Sequence, residues 1–249
     1  MFYTTKGLIL RESTYKDNDK ILSILTQELG LITAKARGVK RKNSNLRSGC
    51  QLLCYSELTL FEKNGYYTIN EAEPIEMFMG LRNDIELLSL GAYIAQMLEN
   101  VSAQDQLNPE LLSLGLNSLY ALHRLSKPQS MVKAAFELRL LGLSGYFPNL
   151  EGCAVCGAAE ARQFYFKEGV LLCDTCRKVS GMGESRRLSD GVLQAMSHIL
   201  HCPKQKLFSF SLPEPGLKEL GEVTEQFLLT QLEGNFSALQ FYKRLFITC

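Results

Sequence analysis

The sequence predicts an α+β fold: a five-stranded OB-fold barrel, then a mainly α-helical domain that carries a zinc-ribbon-like insert. Three observations predict it. Residues 1–75 alternate short apolar segments with turns, residues beyond about 80 place apolar side chains at helical spacing, and four cysteines cluster within 153–176. We expect the barrel to occupy residues 1–80 and the helical domain residues 81–249, with the four-cysteine insert at 150–180.

Five short strands are expected in the first 75 residues. The two-residue alternation is clear in 56–62, where Leu58 and Leu60 share one face and Thr59 and Phe61 the other. Asn64-Gly65 then favours a tight hairpin turn. Five strands in so short a segment suit a small closed barrel, and the OB-fold, which also binds single-stranded nucleic acid, is one solution. An SH3-like barrel would produce a similar pattern. The expected strands are 6–11, 20–26, 31–37, 56–62 and 66–70.

Helices are expected in most of the remaining chain. Apolar residues recur at helical spacing over 81–99, and Asn108-Pro109 supplies a cap and a first-turn proline for a second helix. Pro128 opens a third helix and Ser189-Asp190 a later one. Further helices are expected near 216–232 and 236–246.

The composition excludes some classes of protein. With 249 residues, 46% of them hydrophobic, the chain can bury a substantial core. No stretch reaches the roughly 18 apolar residues that a membrane span requires, and the N-terminus does not resemble a secretory signal. We therefore expect a cytoplasmic protein. The formal net charge of +1 does not indicate a partner, so any charge signal must be local.

The strongest motif is a pair of CxxC sequences, Cys153-Ala-Val-Cys156 and Cys173-Asp-Thr-Cys176, with sixteen residues between them. Two residues between the cysteines of each pair allow the turn to direct both sulfurs at one metal ion, and four thiolates suit tetrahedral zinc. Four sulfur ligands leave no position for water, so the expected zinc ion is structural. The intervening FYFKEGVLL indicates a small hairpin with Gly169 near its turn.

Other interpretations of the cysteines are a redox CxxC and two disulfides. A thioredoxin-type redox motif lies in a βαβ pattern that this sequence lacks, and cytosolic disulfides are rare. A second metal site at His198, His201 and Cys202 would lack an evident fourth ligand. Thiols without a metal are the expectation for the remaining cysteines, which are Cys50, Cys54, Cys202 and Cys249.

A basic segment indicates nucleic-acid binding. Six cations and no acid lie between residues 35 and 47. Such a run is usually a solvated face, but barrels of this kind bind strands through loops and one sheet face, where each neutralised phosphate releases counterions. The candidate DNA-binding residues are Lys35, Arg37, Lys40, Arg41, Lys42 and Arg47. The aromatic residues that offer stacking surfaces, with packing into the barrel as the competing role, are Tyr15, Tyr55, Phe61, Tyr66 and Tyr67.

Motifs of common enzymes are missing from the sequence. We find no GxxxxGK[ST], GxGxxG after a strand, GxSxG or HExxH, and no carboxylate cluster beside the basic segment. Together these gaps favour a binding protein without catalytic residues over an enzyme.

The order of these features resembles the RecO family of recombination mediators. The resemblance rests on Lys6-Gly-Leu-Ile-Leu, on the run from Gly30 to Ser44 that ends in Arg37-Gly-Val-Lys-Arg-Lys-Asn-Ser44, and on Gly145-Tyr-Phe-Pro148 followed by the cysteine pairs. It covers nearly the whole chain. The helices alone would match many proteins.

The resemblance implies a role in DNA repair and recombination. Proteins of this family bind single- and double-stranded DNA, anneal complementary strands, and act with RecR to help RecA replace single-strand DNA-binding protein. The family's basic contacts would fall on Lys35, Arg37, Lys40, Arg41 and Lys42, and its zinc ligands on the four clustered cysteines, which some members lack. Two alternatives remain: a zinc-containing protein-interaction scaffold that does not bind DNA, and an unrecognised enzyme such as a nuclease.

Overall fold

The computed structural model describes residues 1–104, 106–234 and 236–246. These residues form two compact units. The first comprises residues 1–125 and the segment from 236 onward, and the second comprises residues 126–235. The first unit adds three α-helices to the barrel, so it extends beyond residue 80. Compact units need not coincide with domains, and the domain boundaries predicted from the sequence stay a prediction.

The first unit begins with a closed five-stranded barrel. Its strand order is β1-β2-β3-β5-β4, and β4 also pairs with β1, which closes the sheet. All neighbours are antiparallel except β3 and β5. The structure confirms the barrel and its OB-fold order. The strands are β1 (Phe2–Tyr15), β2 (Asp19–Thr26), β3 (Gly30–Ala36), β4 (Tyr55–Lys63) and β5 (Tyr66–Glu76).

The alternation of side chains defines the interior of the barrel. Leu58 and Leu60 of β4 are fully buried, whereas Thr59 and Phe61 between and beyond them face outward and are only partly covered. The predicted Asn64-Gly65 turn joins β4 to β5, and both residues have positive φ (53° and 79°), as a type I′ turn requires. The hairpin prediction is confirmed.

Two strands of the barrel, β1 and β5, are longer than the sequence predicts. β1 spans 14 residues instead of six because its first half pairs with β4 and its second half with β2. β5 continues to Glu76. β1 extends at its start through pairing with β4 and at its end through pairing with β2, and β5 extends through pairing with β4, so cross-strand pairing and not the apolar pattern sets these strand ends.

Three helices complete the first unit: α1 (Ile85–Val101), α2 (Pro109–His123) and α7 (Ser237–Leu245). α1 packs on β1, α2 and α7. The predicted cap at Asn108 is present, since its side-chain oxygen accepts a hydrogen bond from Leu111 N at 3.1 Å. The predicted start of α1 at residue 81 is wrong. Asp84 is extended and its carboxylate accepts from Glu86 N at 2.8 Å, so the helix begins at Ile85.

The second unit combines three longer helices with a small sheet. The helices are α3 (Gln129–Leu143), α5 (Asp190–His201) and α6 (Glu214–Gln231), and a four-residue helix α4 (Asp174–Arg177) lies in the cysteine region. The sheet has the order β6-β8-β7-β9. Its strands are β6 (Asn149–Cys153), β7 (Gln163–Tyr165), β8 (Val170–Leu172) and β9 (Ser185–Arg187).

The core of the second unit joins this sheet to the helices. Phe164 of β7 is fully buried, and its ring contacts Phe166 and Phe227 with centroid distances of 5.6 and 5.2 Å. Phe227 belongs to α6, so the cysteine-bearing sheet shares one apolar core with the helical layer. None of the described helices has both the length and the apolarity needed to cross a membrane.

Candidate metal centre and nucleic-acid interface

The four clustered cysteines come together because β6 and β8 are neighbours. Cys153 ends β6 and Cys173 directly follows β8, and these two strands pair in parallel, with Cys153 opposite Leu171. Cys156 and Cys176 each follow one turn later. The predicted hairpin between the pairs is also present, as β7 and β8 run antiparallel around Gly169.

Backbone hydrogen bonds shape the first cysteine turn. Gly157 N donates to Cys153 O at 2.8 Å, and Cys153 N donates to Ala158 O at the same distance. Gly157 has φ of +75°, a conformation in which a side chain would be strained. In the second turn, Cys173 caps α4 by accepting from Cys176 N at 3.5 Å. Both turns therefore hold their sulfurs toward a common point.

The geometry fits a tetrahedral metal ion. All four sulfur atoms lie within 4.8 Å of one another, and the Cys156 and Cys173 Sγ atoms are 3.7 Å apart. A zinc–sulfur bond of about 2.3 Å gives a tetrahedral sulfur–sulfur edge of roughly 3.8 Å. Four sulfurs at this spacing can bind a metal ion and are consistent with zinc.

The cysteine cluster already favours a thiolate. Burial acts to raise the pKa of the Cys153 thiol, but the backbone N–H groups of Cys156 and Cys173 outweigh it, and the pKa falls to about 6. Hydrogen bonds with the Cys156 and Cys173 side chains raise the pKa of Cys176 to about 12. The surroundings of Cys153 thus favour the thiolate, which is the form of cysteine that binds a metal.

The alternative site at His198, His201 and Cys202 does not form a metal cluster among the described residues. The ring nitrogens of His198 and His201 each lie within hydrogen-bond distance of a backbone carbonyl oxygen, at 2.9 and 2.8 Å. Cys202 Sγ lies 3.2 Å from Arg139 Nη2. The described cysteines outside the cluster, which are Cys50, Cys54 and Cys202, form no disulfide bonds. Cys249 lies outside the described residues.

The basic segment forms the end of β3 and the start of the long connection from residue 37 to residue 54. This connection has no regular helix or strand, yet it is not loosely attached. Its side chains Val39, Leu46, Cys50 and Cys54 are all at most 8% exposed and belong to the core cluster of the barrel. The loop therefore presents its cations from a fixed base.

Lys35 differs from the other five predicted DNA-binding residues. Its Nζ lies 3.1 Å from Asp19 Oδ2 and 4.6 Å from the centre of the Tyr15 ring. The Asp19 carboxylate also accepts from Gly38 N at 2.8 Å. The Gly38 hydrogen bond, followed by the one with Lys35, lowers the pKa of Asp19 below its usual value. Lys35 thus helps to hold the base of the loop.

The other five cations are exposed, and none of them forms an ion pair with a described residue. Lys40 and Arg47 line a groove of about 750 Å³ together with Lys20 and Arg82, two cations outside the basic segment. Arg37 lines a different cleft on the barrel. These five residues are Arg37, Lys40, Arg41, Lys42 and Arg47.

Lys20 and Arg82 are not part of any run of cations in the sequence, so the charge pattern does not mark them as groove residues. Lys20 lies beside an acid in space, with its Nζ 2.8 Å from Glu12 Oε2. Arg82 is distant from the basic segment in sequence, and its guanidinium donates to Leu52 O at 2.6 Å. The apolar floor of the groove includes Leu88 and Phe241, which come from α1 and α7.

The five aromatic candidates divide between core and surface. Tyr67 packs against the barrel core and Tyr55 is half-buried, where burial raises the pKa of its hydroxyl. Tyr66 is 79% exposed and Tyr15 is 39% exposed. Phe61 is partly covered by Phe2, with ring centroids 5.1 Å apart. Packing thus accounts for Tyr67, whereas Tyr66 and Phe61 present surface to solvent.

Comparison with known proteins identifies the family of the chain. The N-terminal model of recombination protein O matches residues 1–78, and the C-terminal model matches residues 82–240. A protein named "DNA repair protein RecO" from Acetivibrio thermocellus is 35% identical over 98% of this chain and 97% of its own length. Proteins of the same name from Alkaliphilus metalliredigens and Caldanaerobacter subterraneus are 31% and 26% identical, each over 98% of this chain and nearly all of their own. The chain belongs to the RecO family of DNA repair proteins.

Proposed function

We propose that this protein binds single- and double-stranded DNA during recombinational repair and anneals complementary strands. In the cell it acts with RecR and helps RecA to load onto DNA that is covered by single-strand DNA-binding protein. Family membership supports the repair role, and the partners follow from the resemblance to RecO. We place this activity in the cytoplasm and assign no catalytic residues, because annealing makes and breaks no covalent bond.

The observation that carries the proposal is the connection from residue 37 to residue 54, here called the basic loop, together with its attachment to the barrel. Lys40, Arg41 and Lys42 are exposed, and none of them forms an ion pair with a described residue. Val39 immediately before them is 3% exposed and lies in the barrel core. Cations that are free of carboxylates and held in place can neutralise phosphates at little entropic cost, and the released counterions provide the driving force.

Phosphate contacts leave base edges free. A surface that neutralises two strands through their backbones removes their mutual repulsion and does not block pairing between them. This is the physical requirement for annealing, and it needs no nucleotide hydrolysis.

The four-cysteine cluster supports a second part of the proposal, one structural zinc ion bound by Cys153, Cys156, Cys173 and Cys176. Four sulfurs complete a tetrahedral shell, so no position remains for a water or a substrate. The metal would hold the ends of β6 and β8 together and so support the sheet that packs on Phe227. Its contribution is to folding and not to chemistry.

The test of DNA binding is a salt series with fluorescent single-stranded DNA. The triple variant Lys40→Glu, Arg41→Glu, Lys42→Glu should bind at low salt more than about tenfold more weakly than the parent. The slope of log K against log salt should also fall in magnitude by about 2, since three phosphate contacts at roughly 0.7 each are lost. Unchanged affinity in a folded variant would exclude this loop as the DNA surface.

A matched control separates local from global charge. Lys167, Lys204 and Lys218 are exposed residues of the second unit, and their reversal to Glu changes the net charge by the same amount. This control should keep most of the affinity. Equal losses in both triple variants would show that net charge, and not the loop, determines binding.

The second candidate function is a protein-interaction scaffold that does not bind DNA. It is favoured by the exposed apolar side chains Ile85 and Phe241 in the 750 Å³ groove, which are 57% and 49% exposed. If the folded parent shows no salt-sensitive DNA binding but captures a repair protein, and Phe241→Ala abolishes the capture, the scaffold becomes the function.

A further inference from the structure

A second surface of the barrel combines exposed aromatic rings with cations. It is a cleft of about 660 Å³ on the outer face of the sheet, and the basic loop contributes only Arg37 to it. We call it the aromatic cleft. Its aromatic residues are Phe2, Phe61 and Tyr66, and its cations are Arg37 and Lys63.

The strand register brings these residues together. Phe2 of β1 is opposite Phe61 of β4, and Phe61 is opposite Thr68 of β5, so one row of outward positions crosses three strands. Lys63 and Tyr66 are opposite each other where the β4–β5 hairpin turns. These residues are distant in sequence from the basic segment. Arg37, which directly follows β3, is the residue of the basic segment that lines the cleft.

The rings are exposed to an unusual extent for their size. Phe2 is 64% exposed and Tyr66 is 79% exposed. Phe61 contacts Phe2 on one side, at a centroid distance of 5.1 Å and an interplanar angle of 52°. Rings held by a sheet lose little freedom when a flat partner packs on them, because the backbone beneath them is already ordered.

The charge of the aromatic cleft selects the kind of partner. None of the described residues that line it is acidic, and neither Arg37 nor Lys63 forms an ion pair with a described residue. The remaining polar groups include the side-chain amides of Asn64 and Asn70. Aromatic faces, amides and unpaired cations together match a polyanion with flat apolar faces.

We propose that the aromatic cleft binds unpaired bases of single-stranded nucleic acid. The bases stack on Phe2, Phe61 and Tyr66, and the adjoining phosphates contact Arg37 and Lys63. The inference rests on the proposed DNA-binding function and deepens it, because it assigns a strand preference. Bases in a duplex are stacked on one another and cannot reach these rings, so the cleft favours single strands, whereas Lys40, Arg41 and Lys42 contact either form.

Loss of the exposed rings tests the proposal. The double variant Phe2→Ala, Tyr66→Ala should bind a fluorescent oligothymidylate at least about tenfold more weakly than the parent, since each stacked base contributes substantially. Binding of a duplex of equal length should change less than about twofold. The salt slope should stay the same, because no cation is removed. Tyr66→Phe keeps the ring and should bind like the parent.

A direct probe is available because the chain contains no tryptophan. Tyr66→Trp creates a single tryptophan on the rim of the cleft, and stacking of a base on it should quench its fluorescence. The oligothymidylate should quench it, whereas an abasic strand of equal length, which has the phosphates but not the bases, should not.

The outcomes separate this proposal from the proposed function. If the parent binds no DNA, the proposed function fails and the aromatic cleft fails with it. If the parent binds and the folded double variant binds the single strand equally well, only the cleft proposal is overturned. Equal losses for single strand and duplex also overturn it.

Discussion

A buried ion cluster in the second unit leads to the sharpest stability prediction. Lys133 Nζ of α3 lies 2.7 Å from Glu137 Oε1 and 2.8 Å from Glu225 Oε2 of α6. The Glu137 side chain is fully buried, and its Oε2 accepts from Thr224 Oγ1 at 2.8 Å. Replacing Lys133 with Met keeps most of the side-chain volume but removes the cation beside a carboxylate that water cannot reach.

The expected cost follows from this geometry. Removing one partner of a buried ion pair typically destabilises a protein by about 3–5 kcal/mol, because the other charge stays buried. In urea, with a slope of roughly 2–3 kcal/mol per molar, the unfolding midpoint of the second unit should fall by roughly 1–2.5 M. The double variant Lys133→Met, Glu137→Leu removes the two most buried charges and leaves the Glu225 carboxylate, which is 17% exposed, so it should recover a large part of that loss.

The contribution of this cluster to stability depends on pH. Burial acts to lower the pKa of Lys133, but the Glu137 and Glu225 carboxylates outweigh it and raise the pKa above the usual 10.5. A raised lysine pKa stabilises the fold below the unfolded value, and the stabilisation is lost only as the pH rises through the folded value. The difference between parent and Lys133→Met should therefore be constant near neutral pH and shrink above about 10.5.

The assay is urea unfolding followed by far-ultraviolet circular dichroism. Lys218→Met is the matched control, since Lys218 is an exposed lysine of α6, and its unfolding free energy should change by no more than about 0.5 kcal/mol. If Lys133→Met costs no more than Lys218→Met, the ion cluster does not stabilise the helical layer as its geometry indicates.

Two further predictions concern the metal centre and the base of the loop. Cys173→Ser should lower the zinc content of the purified protein from about one ion per chain to well below half, whereas Cys202→Ser should not lower it. The measurement is metal analysis of both purified variants. Full zinc retention in Cys173→Ser would contradict the assignment of the metal ligands. Asp19→Asn removes the charge that pairs with Lys35, so the salt slope for single-stranded DNA should become steeper by up to about 0.7. The pKa of Asp19 is lower in the folded protein than its usual value of 3.8. The stability that the Asp19 carboxylate contributes is therefore present above pH 3.8 and is lost as the pH falls through the folded pKa. Melting experiments on Asp19→Asn should lack this acid-dependent loss of stability.

Features with local causes were predictable from the sequence. The Asn64-Gly65 turn, the caps at Asn108 and Ser189 and the two CxxC turns each depend on a few adjacent residues. Their conformations follow from positive φ, side-chain caps and cysteine spacing, and the structure has all of them where the sequence indicated.

Element ends and the distribution of the cations were not predictable in this way. β1 runs to 14 residues because two different strands pair with it, and α1 starts at Ile85 because Asp84 caps it. Lys35 and Arg37 are two residues apart in a run of cations, yet one contacts Asp19 and the other lines the aromatic cleft. Lys35 lies within β3, which pairs with β2, the strand that begins with Asp19, whereas Arg37 follows the end of β3, where the strand geometry no longer sets the direction of the side chain.

The sequence by itself determined the barrel-then-helices order, the four metal-ligand candidates and the presence of a basic loop, because each is written in local spacing or composition. Only the tertiary structure decided which cations are paired, which share a groove with Lys20 and Arg82, and which lie beside Phe2, Phe61 and Tyr66. The physical reason is that these neighbours belong to different strands and helices. Their proximity depends on strand pairing and packing across the core, which no single stretch of the sequence specifies.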